Sequence, residues 1–142
     1  MTSGSHDEPT WLTEIQVRML HAEAVRMFGG SHGIRDQSLL ERALGRPQNM
    51  WAYQESASLP ELAASYGFGI AKNHAFVDGN KRTSLLAIRA FLFRNGLHFQ
   101  PAEVESVSLI EGLAAGSVTE EALANWIAEN STTSQPPPSS TG

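Results

Sequence analysis

The stretch from Lys81 to Asn95, KRTSLLAIRAFLFRN, is apolar on nearly every side of a helix: Leu85, Leu86, Ala87, Ile88, Ala90, Phe91, Leu92 and Phe93 leave no polar face. A helix of that kind must be wrapped by neighbours, so it is expected to be the central, buried element, and the rest of the chain must supply its cover.

The cover is legible as further helices. Thr13 and Gln16 have capping-box spacing, with Leu12 and Val17 placed as a hydrophobic staple. Val17, Leu20, Ala24, Met27 and Phe28 then form one apolar stripe, and Gly29-Gly30 stops the helix. A short second helix is expected from Asp36 as N-cap to Gly45, just before Arg46-Pro47, with Leu39, Leu40, Ala43 and Leu44 facing inward. Residues 46 to 57, RPQNMWAYQESA, read as a loop or short hairpin. Ser58 and Glu61 form a second capping box, opening a helix that runs to Asn73. After the central helix, Gly96 and Pro101 bracket the entry to a fifth, closed by Gly116, and a sixth is expected from Thr119 to Asn130. No run alternates as a strand does, so the fold class is all-α.

The 142 residues suit one domain, expected over 12–130, with a flexible N-terminus over 1–11. From Ser131 the chain is STTSQPPPSSTG, too poor in apolar surface to offset its ordering entropy, so 131–142 is expected to be a disordered tail. There are no cysteines, which excludes disulfides and thiolate metal sites and fits a reducing cytoplasm. No apolar run approaches the roughly 20 residues that span a bilayer, and MTSGSHDEPT has no signal-peptide pattern, so a cytoplasmic protein without membrane attachment is expected. A net charge of -5 argues against direct nucleic-acid binding.

Chemistry concentrates in HAFVDGNKR, His74 to Arg82, directly before the apolar helix. The N-terminus of that helix leaves N–H groups unpaired at the positive end of its dipole, favouring an anion by roughly 0.3–1 kcal/mol. Lys81 and Arg82 reinforce it, and Gly79 permits the positive φ that lets successive N–H groups converge. Asp78 suits Mg²⁺, which takes few protein carboxylates and completes its shell with phosphate and water. His74 can accept a hydroxyl proton near neutral pH, and Phe76 anchors the loop in the core. Taken one at a time each residue has a plainer role: a capping histidine, an Asp-Gly-Asn turn, solvated cations.

As a group they resemble the signature of the Fic/Doc family, His-x-Phe-x-Asp/Glu-Gly-Asn-x-Arg, and GIRDQSLLERALGRPQN at 33–49 is similar to the upstream segment of its Doc-type, "death on curing" toxins. The resemblance implies a compact Fic-type helical bundle with the motif loop between two central helices. It implies ATP and Mg²⁺ at the second helix's N-terminus, His74 as the base for a target hydroxyl, Asp78 as the metal ligand, Gly79, Asn80, Lys81 and Arg82 around the phosphates, and Phe76 as the structural anchor. It also makes 46–57 the candidate for a flap that holds the target segment by strand-like pairing.

Lys81 stands where adenylylating members of the family have a second glycine, and Leu85 where they have a second arginine. Both departures are Doc-like, and imply transfer of the γ-phosphate to a Ser/Thr hydroxyl of a protein target, for which the resemblance suggests elongation factor Tu. Gly79 keeps the glycine of adenylylating members, so AMP transfer is the alternative. The family's inhibitory Ser/Thr-x-x-x-Glu-Gly/Asn helix is missing, NWIAEN at 125–130 being the nearest segment, which implies a separate antitoxin. Two other readings are weaker. His6, His21, His32, His74 and His98 lack zinc-ligand spacing, and a non-catalytic nucleotide- or antitoxin-binding module does not need the intact His74 and Asp78. His21 reads as a satisfied core histidine of the first helix.

Overall fold

A computed structural model describes residues 7–133. In chain order the elements are α1 (Glu14–Phe28), α2 (Gln37–Tyr53), α3 (Leu59–Asn73), α4 (Asn80–Arg94), β1 (Leu97–Phe99), α5 (Glu103–Ala115), α6 (Glu120–Glu129) and β2 (Ser131–Thr133). The fold is a mostly helical bundle, as the periodicity requires.

Local hydrogen bonds set the helix starts. Thr13 Oγ1 accepts from the Gln16 amide at 3.1 Å while Gln16 Oε1 accepts from the Thr13 amide at 2.8 Å. Ser58 and Glu61 repeat that exchange on α3. Asp36 caps α2 through the Leu39 amide, and Thr119 caps α6 through the Ala122 amide. The Ser38 hydroxyl and the Leu39 amide, both donating to Asp36, hold its carboxyl below the ordinary value. Gly116, in the left-handed region at φ 92°, ends α5.

The most enclosed helix is α3, not α4. Every residue from Leu62 to Gly67 and from Gly69 to Ala71 is buried, whereas Phe93 on α4 is 64% exposed. The cause is side-chain size. Ala63, Ala64, Ser65, Gly67, Gly69 and Ala71 let neighbours approach α3 from several sides. A Cβ at Gly67 would lie 2.6 Å from Ile88 Cδ1, and one at Gly69 would lie 3.3 Å from Ala43 Cα. On α4, Ala87, Ile88, Phe91 and Leu92 pack inward, and Ser84 Oγ donates to the Gly67 carbonyl at 2.8 Å.

Three expectations need correction. The helix expected to stop at Gly45 runs on to Tyr53, through Pro47. Proline costs an interior helix a hydrogen bond, but Leu40, Ala43, Leu44 and Pro47 are buried at helical spacing, with Met50 and Trp51 packed on the core beyond them. Burial of that stripe overrides the local stop, and no strand-like flap exists over 46–53. Second, Ser131–Thr133 do not belong to a structureless tail. They pair antiparallel with β1, with Phe99 opposite Ser131 and Leu97 opposite Thr133, through backbone bonds that need no apolar side chain. Third, order begins before residue 12. The Thr10 amide donates to Asn95 Oδ1 at 2.8 Å, and the Trp11 ring stacks on Phe91 with centroids 5.9 Å apart. The remainder of both expected flexible ends, 1–6 and 134–142, lies outside the described residues.

Candidate active site

The loop between α3 and α4 is built so that its main chain is gripped and its polar side chains are left outside. α3 ends at His74, which caps it in the left-handed region at φ 52°, ψ 49°. Among the described residues His74 is the only non-glycine with positive φ. Such a conformation costs on the order of 1 kcal/mol and persists only where the surroundings fix it. Here they do. Arg35 Nε donates to the His74 carbonyl at 2.7 Å and its Nη2 to the Asn73 carbonyl at 3.2 Å. The backbone amides of Arg35 and Asp36 both donate to the Ala75 carbonyl, at 2.7 and 3.0 Å, and the Val77 amide donates to the Gly33 carbonyl at 3.1 Å. Ile34 and Phe76 thus form a short antiparallel bridge. The segment before α2 is the strand-like partner of the loop itself.

Phe76 is buried, as an anchor should be, and stacks on the buried His21 ring with centroids 3.9 Å apart and planes 8° from parallel. His21 Nε2 lies 2.7 Å from the Asp78 carbonyl oxygen, which can only accept, so Nε2 carries the proton. The Asp78 carboxylate faces the other way, and its Oδ2 accepts from the Ser31 amide at 2.9 Å. Gly30, at φ 110°, gives it room: a Cβ there would come within 3.2 Å of Asp78 Cβ.

Gly79, at φ 79° and ψ 15°, turns the chain into α4, and no side chain caps that helix. The first-turn amides of α4 are therefore available to an anion at the positive end of its dipole. The Asn80 side chain turns back into the loop. Its Oδ1 accepts from the Phe76 amide at 3.0 Å and its Nδ2 donates to the Phe76 carbonyl at 2.9 Å. The amide group is buried and spent on closing the loop, and only its backbone N–H remains for a ligand.

The two cations diverge. Lys81 Nζ reaches Glu111 Oε1 on α5 at 3.1 Å, an exposed pair. The Arg82 guanidinium lies over the Phe28 ring, 3.7 Å from its centroid, with its face covered and its N–H edges unpaired among the described residues. Next to it a groove of about 230 Å³ is lined by Met27, Phe28, Arg82, Leu85 and Val107.

The structure therefore brings His74, Asp78, the uncapped α4 terminus and Arg82 to one loop, and turns Lys81 aside. Asp78 has one oxygen held by an amide and the other without a partner among the described residues. A single carboxylate beside uncapped helix amides fits Mg²⁺, which would take its other ligands from an anion and water. Among the described residues no group of three His, Asp or Glu forms a self-sufficient metal centre.

A family model described as "Fic/DOC family" matches residues 11–92, from the start of the packed region to the end of the core of α4. The chain belongs to the Fic/DOC family. Within it, the chain is 35% identical over 109 residues to "Protein kinase doc" of Escherichia phage P1, covering 76% of this chain and 85% of that protein. It is also 42% identical over 71 residues to "Toxin Doc" of Mycolicibacterium smegmatis, covering 49% of this chain and 55% of that one. The sequence resemblance to Doc-type members is confirmed.

As a Fic/DOC fold, the site holds two residues that sequence reading did not assign to it. His21 was legible only as a core histidine, and Arg35 only as part of a similar upstream segment. Both grip main-chain atoms, which leave no signature in side-chain spacing. No described helix is long and apolar enough to cross a membrane.

Proposed function

We propose that this Fic/DOC protein is a cytoplasmic toxin that transfers the γ-phosphate of ATP to a Ser/Thr hydroxyl of a target protein. The observation that carries the reading is the uncapped N-terminus of α4, which presents free amides between Asp78 and the unpaired edge of Arg82, one loop away from His74. His74 accepts the proton of the target hydroxyl. Its oxygen bonds to the γ-phosphorus as the bond from that phosphorus to the β,γ-bridging oxygen breaks, and ADP leaves. The α4 amides and Arg82 hold the charge that accumulates on the phosphoryl oxygens. Asp78 would hold Mg²⁺, and the chemistry that ion would supply is charge neutralisation on the nucleotide phosphates.

Elongation factor Tu is the acceptor to try first, because this chain is similar to Doc toxins. A separate antitoxin is the expected partner. Phe93, 64% exposed, borders a groove of about 410 Å³ with Leu20, Leu86 and Ala90, which suits the apolar face of a helix. Expression of the chain alone should arrest growth, and co-expression of a partner encoded separately should relieve it.

The deciding experiment is label transfer. With the wild-type chain and elongation factor Tu, γ-³²P ATP should label the factor and α-³²P ATP should not, with ADP released. The second reading, AMP transfer, is favoured by Gly79 in its left-handed turn; transfer of the α label with release of pyrophosphate would establish it instead.

A further inference from the structure

We propose that Arg35 and His21, both outside the His74 to Arg82 loop, are positioning residues that set the two halves of the site separately: Arg35 aims the base, and His21 aims the metal carboxylate and the first phosphate-binding amide. The inference rests on the nucleotide-transfer reading above.

Arg35 engages three successive carbonyls at the end of α3. Its Nη2, Nε and backbone amide go to Asn73, His74 and Ala75 at 3.2, 2.7 and 2.7 Å. The last carbonyls of a helix lack intrahelical partners and carry its negative pole, so a guanidinium there meets both needs. Here the same contact holds His74 in its left-handed conformation and so decides where the imidazole projects. Among the described residues no other side chain hydrogen-bonds the His74 carbonyl.

His21 acts at the other end of the loop. It is buried on α1, stacked on Phe76, and donates to the Asp78 carbonyl at 2.7 Å. A trans peptide points its C=O and N–H in opposite directions, and the chain has no cis bond among the described residues. With the Asp78 oxygen drawn inward to His21, the Gly79 N–H is turned away from the interior. The His21 ring also stands 3.5 Å from where a Gly79 Cβ would be, so the same side chain backs the turn that opens α4. The donor and the stack are separable. Phenylalanine keeps the ring against Phe76 and loses the donor, whereas glutamine keeps a donor and loses the ring.

The full chain would be tested as R35A, R35K, H21F and H21Q, each first shown to melt cooperatively. Mg·ATP binding is measured by calorimetry, transfer from γ-³²P ATP to elongation factor Tu by initial rates, and the His74 ring by its ¹H–¹³C resonance. H21F should weaken Mg·ATP binding on the order of tenfold or more, as loss of a group that orients a metal ligand does, and H21Q, which keeps a donor, should recover part of that loss. R35A should leave Mg·ATP binding within about twofold, move the His74 ring resonance, and lower kcat by one to two orders of magnitude, roughly what a small misplacement of a reacting group costs. R35K should recover part of each change. A merely structural role predicts that binding, rate and melting temperature fall in parallel, and that H21Q is worse than H21F; either outcome overturns the proposal. Should the wild-type chain transfer no label, the function above fails, while calorimetry and the His74 resonance still decide the roles of His21 and Arg35.

Discussion

The Arg82 guanidinium lies 3.7 Å from the centroid of the Phe28 ring, so the last residue of α1 holds a cation at the start of α4. A guanidinium stacked by its face keeps its N–H edges free for an oxyanion and gives up rotamer freedom before the ligand arrives. An exposed cation–π contact is worth about 0.5–1 kcal/mol, so F28A should raise KM for ATP by roughly two- to fivefold with kcat little changed. F28W should retain wild-type KM. Steady-state kinetics with ATP varied checks both, and an unchanged KM in F28A would separate Arg82 from nucleotide binding.

The left-handed conformation of His74 makes asparagine the substitution that tests it as the proposed base. Alanine there adds backbone strain, whereas asparagine tolerates positive φ and cannot accept a proton near neutral pH. H74N should therefore reduce transfer by about 10²- to 10⁴-fold with a melting temperature near that of the wild type. D78N can still accept the Ser31 amide but loses its charge, so it should weaken nucleotide binding in the presence of Mg²⁺ and leave binding in EDTA unchanged. Calorimetry with and without Mg²⁺ reads the difference; equal weakening in both would remove Asp78 from metal binding.

Burial pushes the Tyr66 phenol up to about 12 from an ordinary 10.0, against the smaller effect of the Leu12 amide, which donates to its oxygen at 3.0 Å. The folded chain keeps the proton that the unfolded chain releases near the ordinary value. The contribution is thus fully present below pH 10 and is lost as pH rises toward 12. Urea unfolding at several alkaline pH values should show a decline in stability that is smaller in Y66F. Y66F should also start lower, by about 1–3 kcal/mol, because the buried Leu12 amide loses its acceptor. Equal slopes in the two proteins would contradict the shift.

Helix starts were readable because capping is local: Thr13, Asp36, Ser58 and Thr119 each satisfy an amide three residues away. The motif was readable because its side chains are contiguous. What escaped is long-range. His21 and Arg35 act across 57 and 39 residues on carbonyl oxygens that every residue possesses. Pro47 looked like a stop because propensity is local, while the burial that overrides it comes from packing on α3. The β1–β2 pair escaped because three residues with Ser-Thr-Thr on one side carry no alternation to detect.

In the proposed reaction, Lys81 and Leu85 are the two positions expected to decide which phosphate faces the acceptor. Lys81 is drawn to Glu111 on α5 rather than over the α4 terminus, while Leu85 stands one turn after Lys81 and lines the same groove as Arg82. Replacing Leu85 by arginine puts a second cation beside Arg82, and replacing Lys81 by glycine removes its side chain from the groove and leaves Glu111 without its partner. Phosphoryl transfer depends chiefly on positioning and charge, so the phosphate held next to the hydroxyl determines the product. The K81G/L85R double variant should therefore gain transfer of the α label, with pyrophosphate released, and lose transfer of the γ label. L85R alone should lose γ transfer with little α transfer, because Lys81, paired with Glu111, still lines the groove beside the new cation. Parallel assays with the two labels on one acceptor give the ratio directly, and a double variant that keeps the wild-type ratio would show that neither residue sets nucleotide direction.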